Sequence, residues 1–227
     1  MELTVFNKGV LNSDLEFERN GQSYSKDGLW LHSAEVEYGV TGRFAVGLYG
    51  DFRNASEADL AFYRFRAVAR YSFFSKFSRF FNPALYLEYY IPSKNVPESS
   101  EVEMRLILQK DLGDFRLKLN PAISMDTSGE EVKEGLNANF FGGIYWRRFY
   151  LVQPGVEYYG RYGQLRDMPP AKEQEQVLFG TLNFNLFRGF QWQLAAGTGM
   201  TSGSDNFIFK SILVYEFGTI RPSRQSL

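Results

Sequence analysis

The stretch from Asn206 to Phe217 restricts what this chain can fold into more than any other. Read with period two, Phe207, Phe209, Ser211, Leu213, Tyr215 and Phe217 share one face. Ile208, Lys210, Ile212, Val214 and Glu216 share the other. Strict alternation is the mark of a strand. The more apolar face is aromatic at both ends, whereas a soluble sandwich concentrates its rings in the middle of the core face. Rings at the two ends suit a strand that crosses a bilayer, because aromatic side chains favour both interfaces.

Composition is consistent with that geometry. Mean hydropathy is -0.30, and no run approaches the ~18 apolar residues of a membrane helix. Yet 14 Tyr and 22 Phe are more rings than a core of this size holds. A membrane barrel reconciles the two, since half of each strand faces the lumen or water and dilutes the hydropathy. A formal net charge of -1 carries no nucleic-acid footprint. With 0 Cys there is neither a disulfide nor a thiolate metal site. Met1-Glu2-Leu3-Thr4 is not a basic, apolar leader, so for an exported barrel the signal peptide is expected to have been removed.

The pattern predicts an all-β, antiparallel up-and-down barrel of about twelve strands. Expected strands are Leu11–Arg19, Leu29–Gly39, Arg43–Arg53, Leu60–Phe73, Asn82–Ile91 and Glu101–Asp111. Phe115–Met125, Gly135–Trp146, Phe149–Arg161, Gln174–Leu186, Phe190–Met200 and the terminal strand complete the set. Residues 1–10 read as a short periplasmic tail, 11–217 as the barrel and 218–227 as a C-terminal tail. Longer polar segments such as Asn20–Gly28, Asn54–Asp59, Pro92–Ser100, Asp126–Glu134 and Tyr162–Glu173 alternate with tight turns such as Leu112-Gly113-Asp114. That is the asymmetry of long outer loops and short periplasmic turns.

Over Leu11 to Phe217 the chain resembles a small Gram-negative outer-membrane β-barrel of porin type. Lys210, Tyr215 and Phe217 match the polar residue and the two spaced aromatics of that group's C-terminal assembly signal, although Ile212 stands where the pattern prefers glycine. The segment Glu35 to Arg43 is similar to a hairpin of porin-like barrels. The resemblance implies a bacterial outer-membrane location, a lipid bilayer and lipopolysaccharide as surroundings, and the barrel-assembly machinery as a partner. It implies no cofactor.

Twelve tilted strands close at a backbone diameter of roughly 24 Å, which leaves about 12 Å between the side chains. The expected pore-lining set is Glu35, Glu37, Arg43, Arg53, Arg64, Arg66, Arg70, Glu88, Glu103, Arg105, Arg116, Lys118, Glu157 and Lys210. Either these charges pair across strands and stiffen the wall, or acidic and basic strips face each other and set up a transverse field. Inward Tyr49, Tyr86, Tyr90, Phe141, Tyr145 and Phe179 offer a stacking track, or else fill space beside Gly143 and Gly197. The leading expectation is a passive channel for small polar or charged solutes. Its competitors are a closed structural barrel, a barrel subunit of a larger envelope or secretion assembly with a protein partner, and a lipid-modifying enzyme.

For catalysis, a nucleophile needs a base within reach. The one histidine, His32, adjoins Ser33, and neighbours in a strand point to opposite faces. In outer-membrane phospholipases the two residues lie two apart, so the pattern departs from that family. Glu130-Glu131 and the pair Glu173 and Glu175 offer Ca²⁺ or lipopolysaccharide bridges, or simply solvated loop tips. No P-loop, zinc or dinucleotide motif occurs.

Overall fold

Alternating side chains build fourteen strands in the computed structural model, which describes residues 1–19, 22–55, 58–74, 81–94, 96, 98–128, 132 and 135–218. In chain order they are β1 (Glu2–Asn12), β2 (Glu16–Arg19), β3 (Gln22–Ser25), β4 (Trp30–Gly39), β5 (Phe44–Ala55), β6 (Ala58–Ser72) and β7 (Asn82–Pro92). Then come β8 (Glu101–Leu112), β9 (Phe115–Asp126), β10 (Leu136–Trp146), β11 (Val152–Gln164), β12 (Glu175–Phe187), β13 (Phe190–Gly199) and β14 (Phe207–Glu216). All but β2 and β3 join one closed antiparallel barrel, in which β1 pairs with both β14 and β4. Twelve strands therefore form the wall. β2 and β3 make a separate hairpin within the 13–29 connection.

The first wall strand corrects the sequence reading. It lies at Glu2–Asn12, where a tail was expected, and the expected strand at Leu11–Arg19 is split between the end of β1 and the hairpin. The cause is local. Inward positions of β1 include apolar Phe6 and Val10, and outward ones include Asn7 and Gly9, so the alternation that marks the other strands is scrambled. β5 and β6 also run on through the expected Asn54–Asp59 loop as far as the Ala55↔Ala58 pair. Backbone groups alone can extend a ladder, and side-chain pattern does not report them. The expected C-terminal tail lies almost wholly outside the described residues.

The connections 40–43, 113–114, 147–151 and 188–189 cluster at one end of the barrel, with 73–81 as the long exception. The longer segments 13–29, 93–100, 127–135, 165–174 and 200–206 sit at the other end, where only two residues separate β5 from β6. Gly113 (φ 58) and Gly189 (φ 79) supply the left-handed backbone that two of the tight turns require.

Burial is inverted relative to a soluble domain. Glu35, Asp51, Glu88, Glu103, Arg116, Glu157 and Lys210 are buried, while Val36, Leu48, Leu87, Met104, Ile144, Val156 and Leu182 are exposed. A polar interior behind an apolar exterior is stable only where the outside solvent is hydrocarbon. Aromatic residues mark both rims of the outer face. Phe207 and Trp30 lie toward the long loops, and Tyr215, Phe217, Tyr38 and Trp146 toward the short turns.

Candidate functional site

The lumen is organised by the register of β5 to β8. Pairing Asp51 with Arg64 and Arg66 with Tyr90 brings acids and bases from neighbouring strands to one level. Arg64 Nε donates to Asp51 Oδ2 at 2.8 Å, and Arg66 Nη2 donates to Asp51 Oδ1 at 2.9 Å. Arg66 Nη1 reaches Glu88 Oε1 at 2.7 Å, and Tyr90 donates to Glu88 Oε2 at 2.9 Å. Arg105 lies 3.9 Å from Glu88 and forms a close ion pair with Glu103. Asn139 donates to the far oxygen of Glu103 at 3.3 Å. Rings support this chain of charges. Arg66 lies 3.9 Å from the centre of Tyr49, Arg64 4.5 Å from that of Tyr90, and Arg105 4.8 Å from that of Phe141.

A second network fills the opposite side. Lys210 on β14 reaches over β13 and β12 to an ion pair with Glu157 on β11. Tyr145 and Gln193 donate to Glu157 Oε1 at 2.7 and 2.8 Å, and Tyr159 donates to Oε2 at 3.0 Å. Gln193 also donates to Asn183 Oδ1 at 2.8 Å. The Lys210 ammonium sits 4.6 Å from the centre of the Phe179 ring. That ring lies over Gly197, where an added Cβ would come within 2.4 Å of it.

The expected lining residues mostly take inward places. Glu35 accepts a hydrogen bond from Tyr49. Glu37 pairs with Arg70 across β5. Arg116 pairs with Asp111 at 2.8 Å, and Arg147 joins them at 2.7 Å. The Lys118 ammonium lies 5.5 Å from the centre of Tyr145. Arg53 is held at the long-loop mouth, 4.4 Å from the ring centres of both Phe17 and Tyr63, with Glu98 at 3.6 Å. Arg43 is the correction. It is exposed in the 40–43 turn, because β5 begins at Phe44 and the alternation of the strand does not reach back to position 43. Most of the charges that read as strips of one sign are paired between strands, while Arg105 meets Glu103 on its own strand.

Tyr215 and Phe217 form an edge-to-face pair 4.6 Å apart on the outer surface, while Lys210 of the same expected signal points into the lumen. Glu173 and Glu175 face Lys172 at 3.8 Å and Arg161 at 3.7 Å. Glu130 and Glu131 fall outside the described residues. Ser33 is buried on the lumen side. His32 points the other way, stacked on Trp30 and bonded through Nδ1 to Asn7 Oδ1 at 2.7 Å.

Between the two networks lies a cavity of about 460 Å³, reaching down to Thr4, Tyr49, Arg66 and Lys210. Lys8, Arg64, Arg66, Arg105, Arg161 and Lys210 line it against the carboxylates Asp51, Glu88 and Glu175. Of the expected aromatic track, Tyr49, Tyr86, Tyr90, Phe141 and Phe179 line this space, and Tyr145 lies below it. Toward the short turns the inward groups Glu37, Gln109, Arg116, Asn183 and Gln193 are buried and are not part of its wall. Residues missed from the sequence, Tyr159, Asn183 and Gln193, sit at inward parity, which was the available signal. Their uncharged side chains hid their place in a charge network.

No protein-family model and no curated protein matches the chain. Solved structures do. The KdgM porin, solved in complex with disordered oligogalacturonate, superposes with a TM-score of 0.64 at 10% identity, covering 96% of this chain and 100% of that one. The fold is that of an outer-membrane porin. The NanC porin gives a TM-score of 0.62 at 8% identity over 95% of this chain and 99% of its own. An outer-membrane channel from Pseudomonas putida F1 gives 0.61 at 14% identity over 95% and 94%. At these identities the likeness is one of fold, that of the porin-like barrel.

Proposed function

We propose that this porin-like barrel is an outer-membrane channel for small charged solutes, with a preference for anions. The observation that carries this reading is the cavity surface, in which six cationic side chains meet three carboxylates among the described residues, while Glu103 and Glu157, which pair with Arg105 and Lys210, stand behind that surface. In a low-dielectric wall an excess of fixed positive charge raises the local concentration of anions and eases their passage. The long loops then face outward and the short turns face the periplasm, so a solute meets the cationic vestibule first. The anionic oligogalacturonate named with the KdgM porin is compatible with such a lumen. A sealed structural barrel is the second reading, favoured by the close polar packing around Glu157, Gln193 and Asn183.

Planar-bilayer recording with a salt gradient separates them. Arg161→Glu alters a side chain 65% exposed at the mouth, and Arg66→Glu alters the centre of the network. Expected is steady conductance with a reversal potential on the anion side, moving toward cations in Arg161→Glu and further in Arg66→Glu. Absence of conductance in wild type and both variants establishes the sealed barrel instead.

A further inference from the structure

Polar side chains interrupt the lipid-facing wall at one seam. Phe6 and Lys8, Leu31 and Ser33, and Lys210 and Ile212 line the lumen cavity. Their neighbours Asn7, His32 and Ser211 therefore face outward. Register places these three side by side on β14, β1 and β4: Asn7 pairs with Ser211 on one flank and with His32 on the other. Asn7 is central in β1 and Ser211 central in β14, while His32 lies two residues inside the Trp30 rim of β4, so the row runs from the long-loop boundary toward the middle of the hydrocarbon layer. On β5 to β9 and on β12 the outward positions near mid-strand carry Leu48, Ala67, Leu87, Leu106, Leu119 and Leu182.

The row is incompletely satisfied. His32 Nδ1 and Asn7 Oδ1 are 2.7 Å apart, so the ring donates from Nδ1 to the amide oxygen. Ser211 Oγ accepts from Trp192 Nε1 at 2.9 Å. That leaves His32 Nε2 as an acceptor and the Asn7 amide N–H groups as donors, with no partner among the described residues, and at the level of Asn7 hydrocarbon offers none. Stacking on Trp30 fixes the His32 ring, and the Trp30 ring covers Gly9, where an added Cβ would lie 2.8 Å from it. The pair is thus held rigid in the wall.

We propose that this seam is a homodimer interface, in which a second copy of the chain docks β1 and β4 against β1 and β4. The donor and acceptor left over are complementary to each other. Barrels inserted in the same direction and related by a two-fold axis along the membrane normal set Asn7 of each copy opposite His32 of the other. Both Asn7 Nδ2 to His32 Nε2 bonds then close at once, as an isologous interface requires. Lateral association of membrane segments draws on such polar contacts and close packing, because lipid removes the hydrophobic drive.

The chain has 0 Cys, so single cysteines report the contact cleanly. In proteoliposomes, Ala34→Cys on the seam is expected to form a disulfide-linked dimer on mild oxidation. Leu119→Cys, on β9 across the barrel, is expected to stay monomeric. Adding Asn7→Leu and His32→Leu to Ala34→Cys should weaken dimerisation about tenfold, while heat-modifiable gel mobility confirms a folded barrel. Equal cross-linking at both cysteines, monomers throughout, or an undiminished dimer in the triple variant overturns the proposal.

Discussion

Lys210 and Glu157 show how this lumen spends stability. Both are buried, 3% and 4% exposed, and each satisfies the other. Removing one partner of such a pair strands the remaining charge, at a cost of about 3–5 kcal/mol. Lys210→Met should therefore lower the urea midpoint of the folded barrel in detergent. Lys210→Met combined with Glu157→Gln should recover much of the loss, since the glutamine is neutral and Tyr145 and Tyr159 lie beside it as hydrogen-bonding partners. A double variant no better than the single one refutes the pairing argument. Parity in the sequence placed both residues inward. It did not reveal that they meet, because the contact spans two intervening strands and depends on how far a lysine reaches across the lumen.

At the scale of elements, the hairpin β2–β3 was the least legible part of the chain. Its first strand alternates well enough to read as the end of a wall strand and its second reads as loop, yet both belong to the connection between β1 and β4. Phe17 packs against Val10 and Leu29, and the Arg53 guanidinium lies over its ring, so the hairpin reaches the inward side of the long-loop mouth. Phe17→Ala should widen that mouth and raise single-channel conductance, with the Arg161→Glu selectivity effect preserved. Unchanged conductance would place the limiting constriction deeper. β14, by contrast, was readable, because its outward face carries rings at both ends. β1 was not, since Phe6 and Val10 are apolar on the lumen side and Asn7 is polar on the lipid side.

For the whole molecule, three features were legible before any coordinates: an apolar exterior, ring-bearing rims and unequal connections. They fixed a barrel of about twelve strands because only closure satisfies every backbone group inside a bilayer. The pairing of charges was not legible, since it depends on register between strands, and alternation within one strand leaves register open.

That closure has a consequence for lifetime. Leu3 pairs with Tyr215 and Val5 with Leu213, so the earliest strand in the chain is zipped to the latest. In hydrocarbon neither edge can fray, because each freed amide or carbonyl would find no water to bind. Opening must then break the seam as a unit, through a high activation barrier. The residence of this protein in its membrane is accordingly governed by an unfolding rate more than by an equilibrium constant, and refolding and unfolding curves should show hysteresis. A Val5→Cys, Leu213→Cys bridge across the seam should abolish unfolding when oxidised and restore the ordinary slow rate when reduced. A rate indifferent to that bridge would mean the wall gives way somewhere else first.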